Sequence, residues 1–329
     1  MCTAVTYQTK EFYFGRTLDY EHGFSETLIL TPRGSPLLFR HCGLPARRDA
    51  LLGMGCVADG YPLYFEAMNE KGLAMAGLNF VGYADYKAPI SKKDNVAQFE
   101  LIPWILTQCE SVKEARQLLE RINITGEDFR PDMPAAQLHW IIADREEAIT
   151  VESVREGLRV YPNPVGVLTN NPPFDAQLFR LNDFMQLSPK EPENRFSHKI
   201  TLNRYSRGMG AMGLPGDLSS QSRFVRAAFT KLNSVSGNTE QESVSQFFHI
   251  LGAVEQVNGC CDLGNGKFEK TIYTSCCNAS RGIYYYKCYV NHNICAVDMH
   301  LEDLDGKKLL QWPLQRQMKV EIQNKKEQN

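Results

Sequence analysis

Apolar residues along this chain recur mostly at every second position, in short runs broken by turn residues, as half-buried strands do. Residues 2–8 and 12–18 read as paired strands joined at Thr9-Lys10-Glu11, the second alternating aromatic and other residues before breaking at Gly15. Residues 28–31, 51–57 and 64–68 follow as strands, and Asn69-Glu70-Lys71-Gly72 turns the chain into a strand over 73–80. On that strand period two puts Leu73, Met75, Gly77 and Asn79 on one face and Ala74, Ala76, Leu78 and Phe80 on the other. Its small residues admit a closely packed neighbour, and Asn79 stands at the strand end, where an amide can face a cavity. The plain reading is that Asn79 only ends the strand.

The period then changes. Residues 99–109 are apolar and helical in pattern but carry Pro103, and Ser111-Val112-Lys113-Glu114 is a capping box opening a helix over 112–122. After a polar loop over 124–136, residues 138–143, 149–154 and 158–161 form a meander, and a short strand over 165–169 ends at Asn170-Asn171-Pro172-Pro173. Helical patterns return over 174–187, from Ser219 or Ser220 through Arg223 to about 232, and over 242–257. Between the first two of these lies 188–221, rich in Gly, Pro, Ser and Asn, which reads as a binding loop or lid. Residues 270–277, 283–290 and 294–300 close the chain as three antiparallel strands. Hairpins throughout and no repeating βαβ unit predict an α+β fold of packed antiparallel sheets with helices outside, in one domain over 1–329.

Composition narrows the function. The net charge of −2 carries no long run of one sign, which argues against electrostatic capture of nucleic acid or of an anionic membrane. No apolar run approaches eighteen residues and no basic-then-apolar segment opens the chain, so a cytoplasmic protein without a membrane partner is expected. The ten cysteines include no Cys-x-x-Cys, and two pairs are adjacent, which suits neither zinc nor a disulfide framework. Cys288-x3-His292-x2-Cys295 is the nearest approach to a metal motif. Reading Asn291-His292 as a two-residue turn sets Cys288 opposite Cys295 across two strands and needs no metal. No metal and no cofactor are expected.

Candidate chemistry begins at Cys2. Once Met1 is removed, this residue carries a thiol, of reference pKa about 8.5, beside an α-amine at about 7.7–8.0, so nucleophile and base are matched near neutrality. The first hairpin returns Arg16 and Asp19 to its neighbourhood.

Met1-Cys2-Thr3, Phe14-Gly15-Arg16-Thr17-Leu18-Asp19, Asn69-Glu70-Lys71-Gly72-Leu73, Gly77-Leu78-Asn79-Phe80, Leu168-Thr169-Asn170, Gly213-Leu214-Pro215-Gly216-Asp217 and Ser222-Arg223-Phe224 together resemble the choloylglycine hydrolases. These are the bile salt hydrolases and penicillin V acylases within the N-terminal nucleophile hydrolases. The motifs stand in the family's order, and Tyr273-Thr274-Ser275 fits as well, so the resemblance covers almost the whole chain. It implies a four-layer αββα sandwich and removal of Met1. It also implies Cys2 as nucleophile with its α-amine as proton shuttle, Asp19 holding that amine, and Arg16 and Arg223 favouring the thiolate. Asn79 and Asn170 would form the oxyanion hole.

For the substrate, the resemblance implies a small molecule. Bile salt hydrolases tend to have Asn where Asn79 stands and penicillin V acylases Tyr, which favours conjugated bile salts. Leu18, Ala58 and Phe65 match positions that line the steroid. Arg207, in Tyr205-Ser206-Arg207-Gly208, is placed to meet the amino-acid half, with a lean towards glycine conjugates. Relatives imply a homotetramer. Penicillin V or N-acyl-homoserine lactone acylase is the nearest alternative, and a non-catalytic protein binding amphipathic ligands is a distant one. Taken singly, Arg16 with Asp19 reads as a surface ion pair, Arg223 as a helix-start residue and Asn170 as a turn residue; jointly they read as a catalytic centre.

Overall fold

The computed structural model describes residues 1–45 and 47–324, so positions 46 and 325–329 of the expected domain lie outside the described residues. Its strands are β1 (Cys2–Gln8), β2 (Phe12–Tyr20), β3 (Thr27–Thr31), β4 (Leu51–Ala58), β5 (Tyr61–Asn69), β6 (Ala74–Asn79), β7 (Asp94–Ala97), β8 (Ile122–Thr125), β9 (Leu138–Ala143), β10 (Ala148–Val154), β11 (Gly157–Pro162), β12 (Val167–Leu168), β13 (Asp262–Gly264), β14 (Lys267–Phe268), β15 (Lys270–Asn278), β16 (Ile283–Cys288), β17 (Asn291–Asp298) and β18 (Leu310–Pro313). The helices are α1 (Leu101–Gln108), α2 (Val112–Leu119), α3 (Phe174–Arg180), α4 (Ser220–Asn233) and α5 (Glu240–Gly252).

Two sheets dominate, with strand orders β12-β1-β2-β15-β16-β17 and β11-β10-β9-β6-β5-β4-β3-β18, and every pairing within them is antiparallel. Period two explains their stacking. Ala74, Ala76 and Leu78 of β6 join Leu52 and Met54 of β4 in a core shared with β1 and β2, whereas Leu73, Met75 and Leu51 face α1 and α2. Helices α4 and α5 cover the other face of the six-stranded sheet, against β1, β2 and β15. The expected αββα sandwich is therefore what forms. Its two inner faces meet over the small side chains of β6, which let β1 pass close by.

Several local expectations change. Strand β2 does not break at Gly15 but runs to Tyr20; a Cβ at Gly15 would stand 2.1 Å from the Ser275 carbonyl oxygen, so glycine is needed there for close approach within the sheet. The helix expected over 112–122 stops at Leu119, because Ile122–Thr125 pairs with Asp94–Ala97 as the parallel strands β8 and β7. The helix expected over 174–187 is α3 plus a 3-10 turn to Phe184, and the one expected over 242–257 is α5, opened by a Thr239–Glu242 capping box. The strand expected over 165–169 shortens to β12, and β13, β14 and β18 are additional. Cys288 does not face Cys295: Tyr289 and Val290 make the turn, Cys288 pairs with Asn291, and an irregularity leaves Cys295 opposite Tyr286. Asn291 is not a turn residue because its buried amide donates to the Gln315 carbonyl at 2.8 Å.

Lys231 fastens α4 to the sheet by donating to Thr6 Oγ1 at 2.9 Å and to the Val165 carbonyl at 2.5 Å. Burial lowers its ammonium pKa to about 8, below the unfolded value. Between these two values the unfolded chain holds a proton that the folded chain lacks, so raising pH through this window stabilises the fold. Urea unfolding of wild type and Lys231→Met should therefore diverge in wild type's favour as pH rises from about 8 to about 10.5. Parallel pH curves would refute this assignment.

Candidate active site

Cys2 opens β1 and is buried opposite Leu18 of β2. Cross-strand partners share a face, so Arg16 and Leu18 lie on the Cys2 side, towards the second sheet, while Thr3, Thr17 and Asp19 point to the helix side. Met1 precedes Cys2 in this structure. Its amine donates to the Asp19 carbonyl at 2.7 Å and pairs with the buried Glu269 carboxylate, and its carbonyl accepts from the Asp19 amide at 2.9 Å. Burial pushes this amine below its ordinary value; Cys2 and Asp19 oppose the shift, and Arg223 and Arg16 reinforce it.

Three distant segments converge on this strand end. From α4, the fully buried Arg223 guanidinium donates to the Cys2 carbonyl (2.5 Å), Thr3 Oγ1 (2.6 Å), Asn170 Oδ1 (2.8 Å) and the Leu218 carbonyl (3.0 Å). Asn170, two residues beyond β12, also accepts from the Cys2 amide at 2.8 Å through Oδ1, and its Nδ2 donates to the Asn79 carbonyl at 2.8 Å. The Asn170 amide is thereby oriented, oxygen towards the cation and nitrogen towards β6, with one of its two N–H bonds still available. Asn79 enters through its backbone; among the described residues its side-chain amide makes no hydrogen bond. Asp19 accepts from Thr271 Oγ1 (2.6 Å), Thr17 Oγ1 (3.0 Å) and Gln256 Nε2 (3.4 Å), so its carboxylate is held beneath the strand end by a polar cage.

Arg16 reaches the opposite way. It donates to the carbonyls of Gly77 (2.6 Å) and Phe65 (3.4 Å) and stands 3.8 Å from the Glu66 carboxylate. Burial works against its charge, but electrostatic attraction from surrounding groups, the Glu66 and Asp19 carboxylates among them, outweighs that and raises its pKa. Glu66 also accepts from Tyr273 at 2.8 Å and Tyr284 at 2.5 Å. Sequence reasoning missed Glu66, although a single carboxylate between Phe65 and Ala67 in an apolar strand was a signal. What hid its role is a bulge. Met54 pairs with Glu66 but Gly55 with Tyr64, so Phe65 is an extra residue, and both Phe65 and Glu66 turn inward between the sheets.

The remaining expected residues divide. Leu18 is beside Cys2, and Phe65 continues into an aromatic wall through Phe24 (5.8 Å between centroids), Tyr20 and His22. Ala58 sits at the tip of the β4–β5 hairpin, paired with Tyr61. Arg207 is exposed in the loop over 188–219, and among the described residues its side chain makes no hydrogen bond or ion pair with Cys2 or the residues around it. All ten cysteines are free thiols. Among the described residues, no group of three or more His, Cys, Asp or Glu side chains is placed to hold a metal, and no helix is long and apolar enough to cross a membrane.

A family model for linear amide C–N hydrolases, choloylglycine hydrolase family, matches residues 2–311. The chain is 54% identical over 314 residues to a bile salt hydrolase/transferase of Lactiplantibacillus plantarum, covering 95% of this chain and 97% of that protein. The mutant C2A conjugated bile acid hydrolase from Clostridium perfringens, a crystal structure, aligns with a TM-score of 0.91 at 35% identity over 98% of this chain and 100% of that one. Penicillin V acylase from Agrobacterium tumefaciens aligns with a TM-score of 0.75 at 20% identity, over 95% and 91% of the two chains, a likeness of fold alone.

The Arg16–Glu66 pair offers a direct test of the site's electrostatics. Glu66→Gln strands a buried guanidinium and should cost about 3–5 kcal/mol in urea unfolding. Adding Arg16→Met in the same chain should recover part of that loss, giving a coupling energy above about 1 kcal/mol. Additive losses would show the pair to be uncoupled.

Proposed function

The chain belongs to the choloylglycine hydrolase family of linear amide C–N hydrolases, and from this we propose that it deconjugates bile salts, cleaving the amide between a bile acid and glycine or taurine. The observation carrying the proposal is the buried Arg223 bridge, which ties the Cys2 carbonyl to the same Asn170 oxygen that accepts from the Cys2 nitrogen. Removing Met1 turns that nitrogen into an α-amine.

In this mechanism the Cys2 thiol yields its proton to the α-amine and its sulfur bonds to the amide carbon. The carbonyl oxygen becomes an oxyanion, met by the free Asn170 N–H and by the end of β6 at Asn79. The α-amine passes the proton to the leaving nitrogen as the C–N bond breaks, leaving a thioester on Cys2. Water then attacks the thioester through a second oxyanion and restores the thiol. Arg16 and Arg223 bring positive charge to either side of the strand that carries Cys2, and Asp19 in its cage fixes the strand end where the amine sits. An amine attacking the same thioester would give transfer instead of hydrolysis, in keeping with the hydrolase/transferase name of the L. plantarum relative.

Leu18, Phe65 and the wall of Phe24, Tyr20 and His22 supply an apolar surface for a steroid, whose burial is worth about 25 cal/mol per Å². Ala58 extends that surface from its hairpin tip, and Arg207, carried by the long loop, meets the conjugate's anionic end. The same proposal includes one domain, a homotetramer and a cytoplasmic setting. Exposed apolar side chains in and beside the loop, such as Met185, Phe196 and Tyr205, support association, and ten free thiols suit a reducing compartment.

Processed enzyme should release glycine from glycocholate and taurine from taurocholate, measured as free amino acid, and should turn over penicillin V more slowly. Cys2→Ser and a form that retains Met1 should both lose most of the activity, and Asn170→Ala should lower kcat by about 10²–10³. Near-normal turnover in either of the first two would sink the N-terminal cysteine mechanism, and faster turnover of penicillin V would reassign the acyl group.

A further inference from the structure

Two fully buried titratable side chains lie behind the site without entering the chemistry above. His139 on β9 and Glu152 on β10 are both 0% exposed, with Nδ1 of the imidazole 3.0 Å from Glu152 Oε1. The other ring nitrogen, Nε2, is 3.0 Å from the Thr169 carbonyl, and Glu152 Oε1 also accepts the Phe174 amide at 3.0 Å. The Phe80 ring is stacked on the imidazole at 4.3 Å and 6°, which fixes its plane.

We propose that His139 and Glu152 are positioning residues that hold the Asn170 amide at the angle an oxyanion requires. Thr169 and Phe174 bracket the segment Asn170-Asn171-Pro172-Pro173, so the pair grips it on both sides. The peptide plane between Thr169 and Asn170 is pinned at both edges, its carbonyl by His139 Nε2 and its N–H by Ser220 Oγ at 2.8 Å. The Asn170 side chain projects from that plane.

Proton arithmetic supports the clamp. A carbonyl only accepts, so Nε2 must carry a hydrogen. The Nδ1–Oε1 contact likewise needs a hydrogen between its two atoms, carried by one or the other, since two lone pairs do not bond. Glu152 Oε2 is buried with no partner in the described structure, which a clamp serving stability alone would gain nothing by keeping.

The proposal rests on Asn170 acting as an oxyanion donor, and the test separates the two ideas. Variants are compared by kcat per mole of titratable Cys2 thiol. His139→Phe keeps an aromatic ring stacked on Phe80 but releases Thr169. It should lower kcat by about 10–100-fold with KM within about twofold, as expected for an interaction felt in the transition state. Should His139→Phe fail to fold, Glu152→Ala should show the same split. Glu152→Gln should also lower kcat, because the Nδ1 and Phe174 contacts fall on the single atom Oε1, where an amide nitrogen cannot accept from Phe174 and an amide oxygen cannot donate to a neutral Nδ1. In an Asn170→Ala background, His139→Phe or Glu152→Ala should cost no more than about twofold further, since a residue acting through Asn170 has nothing left to position. If Asn170→Ala is impaired but His139→Phe and Glu152→Ala keep wild-type kcat, the positioning role is overturned. Wild-type kcat in Asn170→Ala would overturn the oxyanion reading and this proposal with it.

Discussion

The structure depends most on one buried cation. Arg223 has no exposed surface, and its four hydrogen bonds all go to neutral oxygens on three segments: the first strand, the turn beyond β12 and the entry to its own helix. Burial lowers its pKa, with Asp19 and Cys2 opposing the shift. A guanidinium stripped of water is tolerated only where its acceptors are already in place. Helix α4, β1 and the Asn170 turn must therefore arrive together, and the site is assembled by the requirement that this charge be solvated from within.

Strand irregularities do the rest of the aiming. Between β2 and β15 the register slips at Ile272, pairing Asp19 with Thr271 and Leu18 with Tyr273, so Thr271 reaches Asp19 while Tyr273 reaches Glu66. Between β4 and β5 the extra residue Phe65 turns both itself and Glu66 inward. Each bulge converts a regular ladder into a place where neighbouring side chains serve one point, at the cost of local pairing. Arg16, between the two, has its buried charge met by the Glu66 carboxylate and the Gly77 and Phe65 carbonyls, while Tyr273 and Tyr284 hold Glu66 in place.

Legibility followed the range of the forces involved. The first hairpin, the small-residue strand β6 and the Ser111 cap were readable, because period and capping are set within a few residues. Glu66 was unreadable as a partner of Arg16, since period two predicts the wrong face once a bulge intervenes. The pairing of Cys288 with Asn291 was misread because a buried Asn and an Asn in a turn look alike until the Gln315 carbonyl is placed beside one of them. His139, between Leu138 and Trp140, showed only as a polar residue inside an apolar strand.

The sequence by itself determined the chemistry on offer: a cysteine at the second position, Arg16 and Asp19 returned by a short hairpin, and alternation that could only build layered antiparallel sheets. Tertiary structure alone decided which groups meet, because Asn170 and Arg223 stand 168 and 221 positions from Cys2. It also decided that Asp19 is caged by Thr271 and Gln256, and that Asn79 presents its carbonyl to Asn170. The reason is physical. Local order is set by backbone sterics and side-chain period, whereas a site made of buried polar groups exists only where distant segments complete one another's hydrogen bonds.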